Sequence, residues 1–318
     1  MFRQGTQTLS SLPVVVKVSA SEALKGRLSW QNLELATRAI HRDGLVVLKN
    51  AITDHSKLDR LNQKMISDAK LLQSRGEDSP YNYNKGNIQQ DPPMMSQYFH
   101  SSIFLNPLAT QVTSSVLGPR PRWTFCSGNT AMPPTPGEEP LAQPTHSDAD
   151  FEHPHCPFAL VVNVPLVDMN VQNGSTDIWL GTQHGNLSMQ EGKHGERASG
   201  RIKKELLEER TKIRPSSQPE ISKGSVVIRD LRLWHGGMPN LSDKSRVMLA
   251  FIHYAAWFRN AMRIELSDKL MNVVQEAGKD LQVQADFIPE AELEKRYLNR
   301  PFGNAYKFDQ EDPIPNPP

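Results

Sequence analysis

The sequence has few cysteines and no long apolar stretch, and each of these shortages excludes a class of protein. It contains 2 cysteines in 318 residues, too few for the disulfide framework of a small secreted protein. We therefore expect Cys126 and Cys156 to be free thiols and not a disulfide. No run reaches the roughly 18 apolar residues of a membrane span, and residues 1–16 lack the apolar segment of a secretory signal. These features predict a cytoplasmic protein without a membrane partner.

The sequence also lacks an excess of charge of either sign. It has 36 lysines and arginines against 35 aspartates and glutamates, a net charge of +1. Such a balance predicts no nucleic-acid partner and no polyanionic substrate. The C-terminal residues 316–318 do not form the Ser-Lys-Leu peroxisomal signal. We expect a small-molecule partner, and the sequence is equally compatible with a monomer and a homodimer.

The length allows one large domain or two ordinary ones, and we favour one domain over residues 1–318. Short apolar runs broken by Gly and Pro, with helical patterns before and after them, predict a mainly β fold with flanking helices. The predicted architecture is a double-stranded β-helix, the jelly roll of cupin-like proteins. Its core spans about 120–258, after a helical part at about 29–118 and before a C-terminal helix and tail at 259–318.

Local signals place the first elements. Ser29 and Gly44 fit the two ends of a helix, a strand is expected at 45–48, and a second helix begins near Asp54. Asn106-Pro107 starts a third helix. Residues 74–93 are polar and rich in Gly, Asn and Pro, which predicts a loop. Its Tyr81 and Tyr83 either line a pocket or lie on the surface.

Further strands are expected at 123–132, 158–167, 176–180, 221–230 and 246–254. Asn163 interrupts the second of these, so its side chain either faces a functional cavity or bonds within the sheet. The polar residues 185–219 form an insertion with a charged helix at 197–210, and this insertion is either a solvated surface segment or a lid.

The most informative stretch is Gln-Pro-Thr-His-Ser-Asp at 143–148. In an extended chain, side chains two residues apart point to the same face, so His146 and Asp148 can chelate one ion. A second histidine, His235, follows another apolar run, and Arg246 lies eleven residues further on. Two histidines and one carboxylate on one face leave three positions of an Fe(II) ion open, as in non-haem oxygenases.

Three pieces of sequence resemble the phytanoyl-CoA dioxygenase family of Fe(II)/2-oxoglutarate oxygenases, particularly its fungal biosynthetic members. They are His146-Ser147-Asp148, the run Asn-Gly-Ser-Thr-Asp-Ile-Trp-Leu-Gly-Thr-Gln-His at 173–184, and His235 with Arg246. The resemblance extends over about 40–258. It implies a dioxygenase that uses Fe(II), 2-oxoglutarate and dioxygen, with ascorbate as a supporting reductant.

The resemblance also implies roles for individual residues. His146, Asp148 and His235 would bind the iron, and Arg246 would hold the distal carboxylate of 2-oxoglutarate through its bidentate fork. Gln143 and Thr182 match positions that hydrogen-bond 2-oxoglutarate. Met132, Ala149 and Phe151 would touch the substrate, although Met132 and Phe151 fit a hydrophobic core equally well. His184 is interpreted as structural.

Two alternatives concern individual residues. Arg246 could form a structural ion pair with Asp243 or Asp230 instead of holding a co-substrate. His153 and His155 form a second His-x-His pair, which is a rival metal site, although the flanking prolines favour a loop.

The leading functional hypothesis is the oxidation of a small organic molecule in secondary-metabolite biosynthesis, by hydroxylation, desaturation, epoxidation or rearrangement. One alternative is an acyl-CoA or lipid hydroxylase, closer to the enzyme for which the family is named. A second is a non-catalytic metal-binding jelly roll, against which the presence of Arg246 counts.

Overall fold

A computed structural model describes residues 10–137, 139–192, 200–299 and 307–310. Within these residues the helices are α1 (Ala20–Lys25), α2 (Trp30–Asp43), α3 (His55–Gln73), α4 (Ser101–Phe104), α5 (Pro107–Leu117), α6 (Lys204–Ile213), α7 (Met271–Ala277) and α8 (Glu290–Arg296). The strands are β1 (Val14–Lys17), β2 (Leu45–Lys49), β3 (Tyr81–Asn82), β4 (Asn84–Gln90), β5 (Arg122–Ala131), β6 (Ala159–Pro165), β7 (Asp177–Ile178), β8 (Gln190–Glu191), β9 (Arg201–Ile202), β10 (Val226–Asp230), β11 (His235–Gly236), β12 (Arg246–Tyr254), β13 (Ile264–Ser267), β14 (Gln282–Val283) and β15 (Ala285–Ile288).

One large sheet organises the molecule. Its strand order is β1-β2-β10-β6-β12-β5-β4-β3, and β14 pairs with β5 at one end. The central strand β12 is antiparallel to both neighbours, with Ala250 opposite Ser127 of β5 and opposite Asn163 of β6. Because alternate residues of a strand share one face, this register places Arg246, Met248, Ala250 and Ile252 of β12 on the same face of the sheet.

The second layer is shorter and less regular. It contains the antiparallel pair β7–β11 and the isolated bridges between His146 and His235 and between Met169 and Ile221. Residues of this layer and of the large sheet line the two sides of one cavity. Two facing β layers with helices outside them agree with the predicted jelly roll.

Helices α2, α3 and α5 pack in the main hydrophobic core. In α2 the Ser29 hydroxyl accepts a hydrogen bond from the Asn32 amide, and Gly44 ends the helix at φ 74°. In α3 the apolar residues Leu58, Leu61 and Met65 lie on one side of the helix and are buried. The predicted starts of these helices and of α5 are confirmed, because capping residues and an apolar stripe specify them locally.

The expected loop at 74–93 was wrong, because this segment contains β3 and β4. Strand β4 adds to the large sheet beside β5, with Gln89 opposite Asn129. Its sequence, Asn-Lys-Gly-Asn-Ile-Gln-Gln, is polar, and of its buried residues Asn87, Ile88 and Gln90 only Ile88 is apolar. A strand that is held mainly by backbone pairing with its neighbour leaves little hydrophobic pattern in the sequence.

The C-terminal region is also richer than the expected helix and tail. Strands β13 and β15 pair in parallel, and α7 and α8 follow β13 and β15 in the chain. The expected tail from residue 300 lies largely outside the described residues.

The strands predicted at 176–180 and 221–230 are shorter than expected. The charged helix of the insertion is α6, and residues 193–199 of the insertion lie outside the described part of the chain.

The two cysteines are free, as expected, with Cys156 exposed. In the part of the chain that the structure describes, no helix has both the length and the apolarity needed to span a membrane.

Candidate functional site

Two histidines face each other across an isolated antiparallel bridge. The amide of His146 donates to the carbonyl of His235 at 2.8 Å, and the amide of His235 donates back to His146 at 3.0 Å. Directly opposed residues in an antiparallel pair carry their side chains on the same face. The imidazole centroids therefore lie only 4.4 Å apart, although 88 positions of sequence separate the two residues.

A backbone carbonyl fixes the orientation of each imidazole. The Nδ1 atom of His146 lies 2.8 Å from the carbonyl oxygen of Pro144. The Nδ1 atom of His235 lies 3.0 Å from the carbonyl oxygen of Leu233. A carbonyl oxygen only accepts, so Nδ1 carries the proton and Nε2 presents a lone pair. This is the arrangement in which a histidine ligates a metal through Nε2.

Asp148 completes the cluster between the two Nε2 atoms. Its Oδ1 lies 3.7 Å from Nε2 of His146, and its Oδ2 lies 3.8 Å from Nε2 of His235. Burial lowers the pKa of both histidines, which keeps them neutral. Burial by itself raises the pKa of Asp148, but the positive charge of Arg229 and its hydrogen bond to the carboxylate outweigh burial and hold that pKa well below its usual range.

The cluster fits one metal ion. The ligand atoms of His146, Asp148 and His235 all lie within 4.8 Å of one another. Two ligands bound to one first-row metal at about 2.1 Å each lie about 3 Å apart when adjacent and about 4.2 Å apart when opposite, and both His-Asp distances fall between these values. Neutral imidazoles and an ionised carboxylate are the protonation states that metal binding requires.

Arg229, which sequence analysis did not select, contacts this cluster. It lies on β10, and its Nη2 donates to Oδ2 of Asp148 at 2.6 Å. The residue is only 8 % exposed, and its Nη1 is buried without a hydrogen-bond partner among the described residues. A charged residue on a strand whose other residues are mostly apolar was the available signal for it.

Arg246 begins β12 at the same cavity and is 1 % exposed. Its Nη2 donates to the carbonyl oxygen of Gly174 at 2.7 Å, and its Nε lies 3.5 Å from the carbonyl oxygen of Asn173. Burial lowers the pKa of Arg246 to about 10. Among the described residues it has no ion-pair partner, and its Nη1 is buried without a hydrogen bond.

The two ion pairs considered for Arg246 are therefore not formed. Asp230 forms an ion pair with Arg232, in which Nη2 of Arg232 lies 2.8 Å from Oδ2 of Asp230. Asp243 is exposed and forms no ion pair with Arg246. A buried guanidinium without a counter-ion is costly, so Arg246 is available to an anion that enters the cavity.

The two residues selected as further 2-oxoglutarate contacts differ in position. Gln143 lines the cavity, where its Oε1 accepts from the Gly237 amide at 2.7 Å. Thr182 is not among the described lining residues. Its hydroxyl donates to the carbonyl of Trp179 at 2.7 Å and accepts from the Trp234 amide at 3.0 Å. The structure thus brings Gln143 to the cavity and gives Thr182 a structural environment.

The residues selected as substrate contacts are buried and are not among the residues that line the cavity. Met132, Ala149 and Phe151 are all at most 6 % exposed and belong to the main hydrophobic core. Phe151 packs edge-on against Phe158 at 6.0 Å between ring centroids. The structure therefore places these three side chains in the core, and their role as substrate contacts stays a prediction.

The cavity has a volume of about 700 Å³. Its inner part contains the metal cluster and Arg246, with apolar walls from Leu45, Met169, Ile178, Ile221, Val227 and Met248. We call the part lined by Tyr81, Gln89, Phe125, Ser127, Asn129, Ile252 and Phe308 its outer part, and Tyr83 lies between the two parts. Tyr81 and Tyr83 thus line a pocket. Asn163 both faces the cavity and bonds within the sheet, because it lines the cavity and its side-chain amide donates to the Leu249 carbonyl at 3.2 Å.

Tyr83 lies directly on the metal cluster. Its ring centroid is 4.8 Å from that of His146, and its backbone is in the left-handed region at φ 68°. A non-glycine residue in this region is uncommon and occurs preferentially at functional sites. Nothing in the polar sequence around Tyr83 indicated this proximity, which arises from the pairing of β4 with β5.

The rival histidine pair does not join the cluster. Nδ1 of His153 lies 3.0 Å from the carbonyl oxygen of Pro154, and its ring stacks on Phe158 at 5.7 Å. The group of potential metal ligands found among the described residues is His146, Asp148 and His235. His184 is exposed and is not one of the described lining residues.

Comparison with known proteins gives a family match and several structural relatives. The sequence profile of the phytanoyl-CoA dioxygenase (PhyH) family matches residues 40–248. One similar crystal structure is the epimerase SnoN in complex with Fe3+, alpha ketoglutarate and nogalamycin RO, with a TM-score of 0.52 and 16 % identity over 72 % of this chain and 85 % of that one. Another is AviO1 from Streptomyces viridochromogenes Tue57, with a TM-score of 0.51 and 16 % identity over 74 % of this chain and 100 % of that one.

At these identities the structural relatives support the fold alone, and the family profile supplies the assignment. The matched range, 40–248, contains His146, Asp148, His235 and Arg246 and covers most of the chain. The chain belongs to the phytanoyl-CoA dioxygenase (PhyH) family of non-haem iron and 2-oxoglutarate-dependent enzymes.

Proposed function

We propose that this protein is an Fe(II)/2-oxoglutarate-dependent dioxygenase that oxidises a small, largely uncharged organic molecule in a biosynthetic pathway. The observation that carries the proposal is the combination of the His146–Asp148–His235 cluster with the unpaired, buried Arg246 in one cavity. A metal-binding scaffold without catalysis has no use for a second, separate anion site beside its metal.

In this proposal the three clustered residues bind Fe(II) and Arg246 holds the distal carboxylate of 2-oxoglutarate. The guanidinium fork matches a carboxylate in two parallel hydrogen bonds. The carbonyls of Gly174 and Asn173 hold one side of the guanidinium, so its orientation is fixed before the anion arrives. Gln143 is a further candidate contact on the cavity wall, whereas the hydroxyl of Thr182 already makes two internal hydrogen bonds.

Bound iron and 2-oxoglutarate would supply oxidation by dioxygen, coupled to conversion of 2-oxoglutarate to succinate and carbon dioxide. The protein supplies binding, orientation and exclusion of water. The apolar side chains that line the same cavity as Arg246, among them Leu45, Met169 and Ile221, would limit the entry of water around it. Low polarity strengthens the attraction between the guanidinium and an incoming carboxylate.

The outer part of the cavity suggests the kind of substrate. Its walls combine aromatic and aliphatic side chains, such as Phe125 and Ile252, with the neutral polar groups of Gln89, Ser127 and Asn129. Apolar pockets with a few placed polar groups bind small molecules and orient them by hydrogen bonds. We therefore favour a ring-containing or branched molecule that carries carbonyl or hydroxyl groups.

The lining also argues against an acyl-CoA substrate. Apart from Asp148, Arg229 and Arg246, the charged residues that line the described cavity are Arg75, Glu77, Asp78 and Asp150. Three acids and one base repel a thioester whose phosphates are anionic. Arg75 is moreover engaged with the carbonyl of Leu298 and the side chain of Asn299, at 2.9 Å each.

The proposal is tested by anaerobic titration of the purified protein, first with Fe(II) and then with 2-oxoglutarate. We expect one iron per chain, and then a visible charge-transfer band that saturates at one 2-oxoglutarate per iron. Exposure to dioxygen with ascorbate should then form succinate. Iron binding without any 2-oxoglutarate binding would favour the non-catalytic alternative and overturn the proposal.

The substrate class is tested separately with a library of uncharged ring-containing metabolites and a panel of acyl-CoA thioesters. A true substrate accelerates 2-oxoglutarate consumption and yields a product changed in mass. Acceleration by acyl-CoA thioesters alone would reverse our preference between the two substrate classes.

A further inference from the structure

Arg229 has a place in the cavity that the family assignment does not explain. It lies on the cavity face of the large sheet, where its register partners are Val161 on β6 and Leu45 on β2. Both partners are apolar. A guanidinium there is expensive unless an anion pairs with it, and the ion-pair partner that the structure gives is Asp148 at 2.6 Å.

The distances within the cluster do not by themselves decide how Asp148 would bind a metal. Oδ1 is 3.7 Å from Nε2 of His146, and Oδ2 is 3.8 Å from Nε2 of His235. The carboxylate therefore presents both oxygens towards the space between the imidazoles, and carboxylates bind metals with one oxygen or with two. The asymmetry between the two oxygens comes from Arg229, which hydrogen-bonds Oδ2 and not Oδ1.

We propose that Arg229 is a positioning residue that retains Oδ2 of Asp148, so that this carboxylate offers the iron one oxygen and leaves the remaining positions free. The inference rests on the proposed function. With six positions at the metal, three single-atom protein ligands leave two for 2-oxoglutarate and one for dioxygen. A carboxylate that bound through both oxygens would occupy a position that the co-substrates need.

The test uses Arg229→Met, which keeps much of the side-chain volume but removes the charge and the donors, and Arg229→Lys, which keeps the charge and a donor. Anaerobic titrations of the full-length chain measure the iron Kd, and then the 2-oxoglutarate Kd from the charge-transfer band. We expect Arg229→Met to bind iron within about threefold of wild type, and 2-oxoglutarate at least tenfold more weakly. Arg229→Lys should recover most of the 2-oxoglutarate affinity, because one donor suffices to engage Oδ2.

A second readout does not depend on turnover. Nitric oxide binds a vacant position on Fe(II), and the electron paramagnetic resonance spectrum of the product reports its coordination. In wild type, nitric oxide and 2-oxoglutarate should bind together. In Arg229→Met, we expect them to compete, because the second carboxylate oxygen has taken one position.

Arg232→Met is the matched control. Arg232 is a buried arginine three residues from Arg229. It forms an ion pair at 2.8 Å with Asp230, and Asp230 is not a candidate metal ligand. Its replacement should lower the melting temperature while leaving both Kd values of the folded protein near those of wild type. This control separates the loss of a buried ion pair from a change at the metal.

Two results would overturn the inference. If Arg229→Met bound 2-oxoglutarate and nitric oxide like wild type, Arg229 would be a structural ion pair only. If it lost iron altogether while Arg229→Lys retained it, Arg229 would be needed to place Asp148 for metal binding and not to restrict its coordination. If Arg229→Met did not fold, the same titrations are made with the shorter, neutral Arg229→Gln, in which 2-oxoglutarate bound at least tenfold more weakly supports the inference and wild-type 2-oxoglutarate and nitric oxide binding overturns it. Failure of wild type itself to bind iron or 2-oxoglutarate would refute the proposed function instead.

Discussion

The inner and outer ends of the cavity are built on different principles. At the inner end, backbone carbonyls hold the functional side chains: Pro144 and Leu233 orient the two histidines, and Gly174 orients Arg246. At the outer end the walls are side chains such as Tyr81, Phe125 and Asn129. The inner geometry is therefore set by backbone positions, whereas the outer surface is set by the side chains themselves. We expect this difference to separate the common chemistry from the choice of substrate.

The largest expected effect follows from removal of a candidate metal ligand. In His146→Ala or His235→Ala, iron affinity should fall by more than the roughly 10- to 100-fold that loss of a metal's supporting partner costs. Metal analysis after equilibrium dialysis measures this directly. His153→Ala and His155→Ala are the controls and should retain iron, and full iron occupancy in either cluster variant would contradict the assignment.

The next largest effect concerns Arg246. In Arg246→Ala, a bound carboxylate loses its buried partner, at a cost of about 2 to 5 kcal/mol, which weakens 2-oxoglutarate by roughly 30-fold to several thousand-fold. Iron binding should persist, and Arg246→Lys should rescue only in part because lysine lacks the bidentate fork. Calorimetric titration with a melting curve for each variant checks this. Lower stability with unchanged 2-oxoglutarate affinity would instead indicate a purely structural arginine.

A smaller effect is expected from Gly174, whose carbonyl holds Arg246. Its φ is 76°, and an added Cβ would lie 2.4 Å from the carbonyl oxygen of Met238. Gly174→Ala should displace this carbonyl and lose a hydrogen bond of about 0.5 to 1.5 kcal/mol, weakening 2-oxoglutarate by roughly 2- to 12-fold.

Gly118→Ala is the matched control for this variant. Gly118 also has a positive φ, 91°, but no atom lies within 4 Å of an added Cβ. It should show the cost of backbone strain without a change in 2-oxoglutarate affinity. Equal losses of affinity in the two variants would disconnect Gly174 from the anion site.

Thr182 provides a test of the boundary of the inner end. Thr182→Val removes the acceptor of the Trp234 amide, which should destabilise the fold by about 1 to 3 kcal/mol. Because Thr182 lies outside the described cavity lining, 2-oxoglutarate affinity should stay within about twofold. Chemical denaturation and titration measure the two quantities. A tenfold loss of affinity would restore Thr182 as a co-substrate contact, as its sequence position suggests.

The smallest effect on the inner end should come from the outer wall. Asn129→Leu replaces a neutral polar group on the cavity face of β5 with an apolar group of similar size. Iron and 2-oxoglutarate affinities should be unchanged, while the KM for an identified substrate rises. A change in 2-oxoglutarate affinity as large as that in Gly174→Ala would show that the two ends are not independent.

Where the chain carries local signals, sequence and structure agree. The capping residues Ser29 and Gly44 and the apolar stripe of α3 specified their helices, because neighbouring residues determine helix ends and faces. His146 and Asp148 were selected because residues two apart share a face of an extended chain, and the structure brings them together with His235. Strand β4 was missed because its stability comes from pairing with β5, which local sequence does not encode.

The sequence by itself determined which chemical groups are present: two histidines, one carboxylate and an arginine at spacings typical of the family. Only the tertiary structure decided what surrounds them. The approach of Arg229 to Asp148, the contact of the tilted Tyr83 ring with His146 and the burial of Met132, Ala149 and Phe151 in the core all depend on how distant strands pair. A one-residue change in strand register moves a side chain to the opposite face, so these contacts are fixed by the whole sheet and not by the neighbouring sequence.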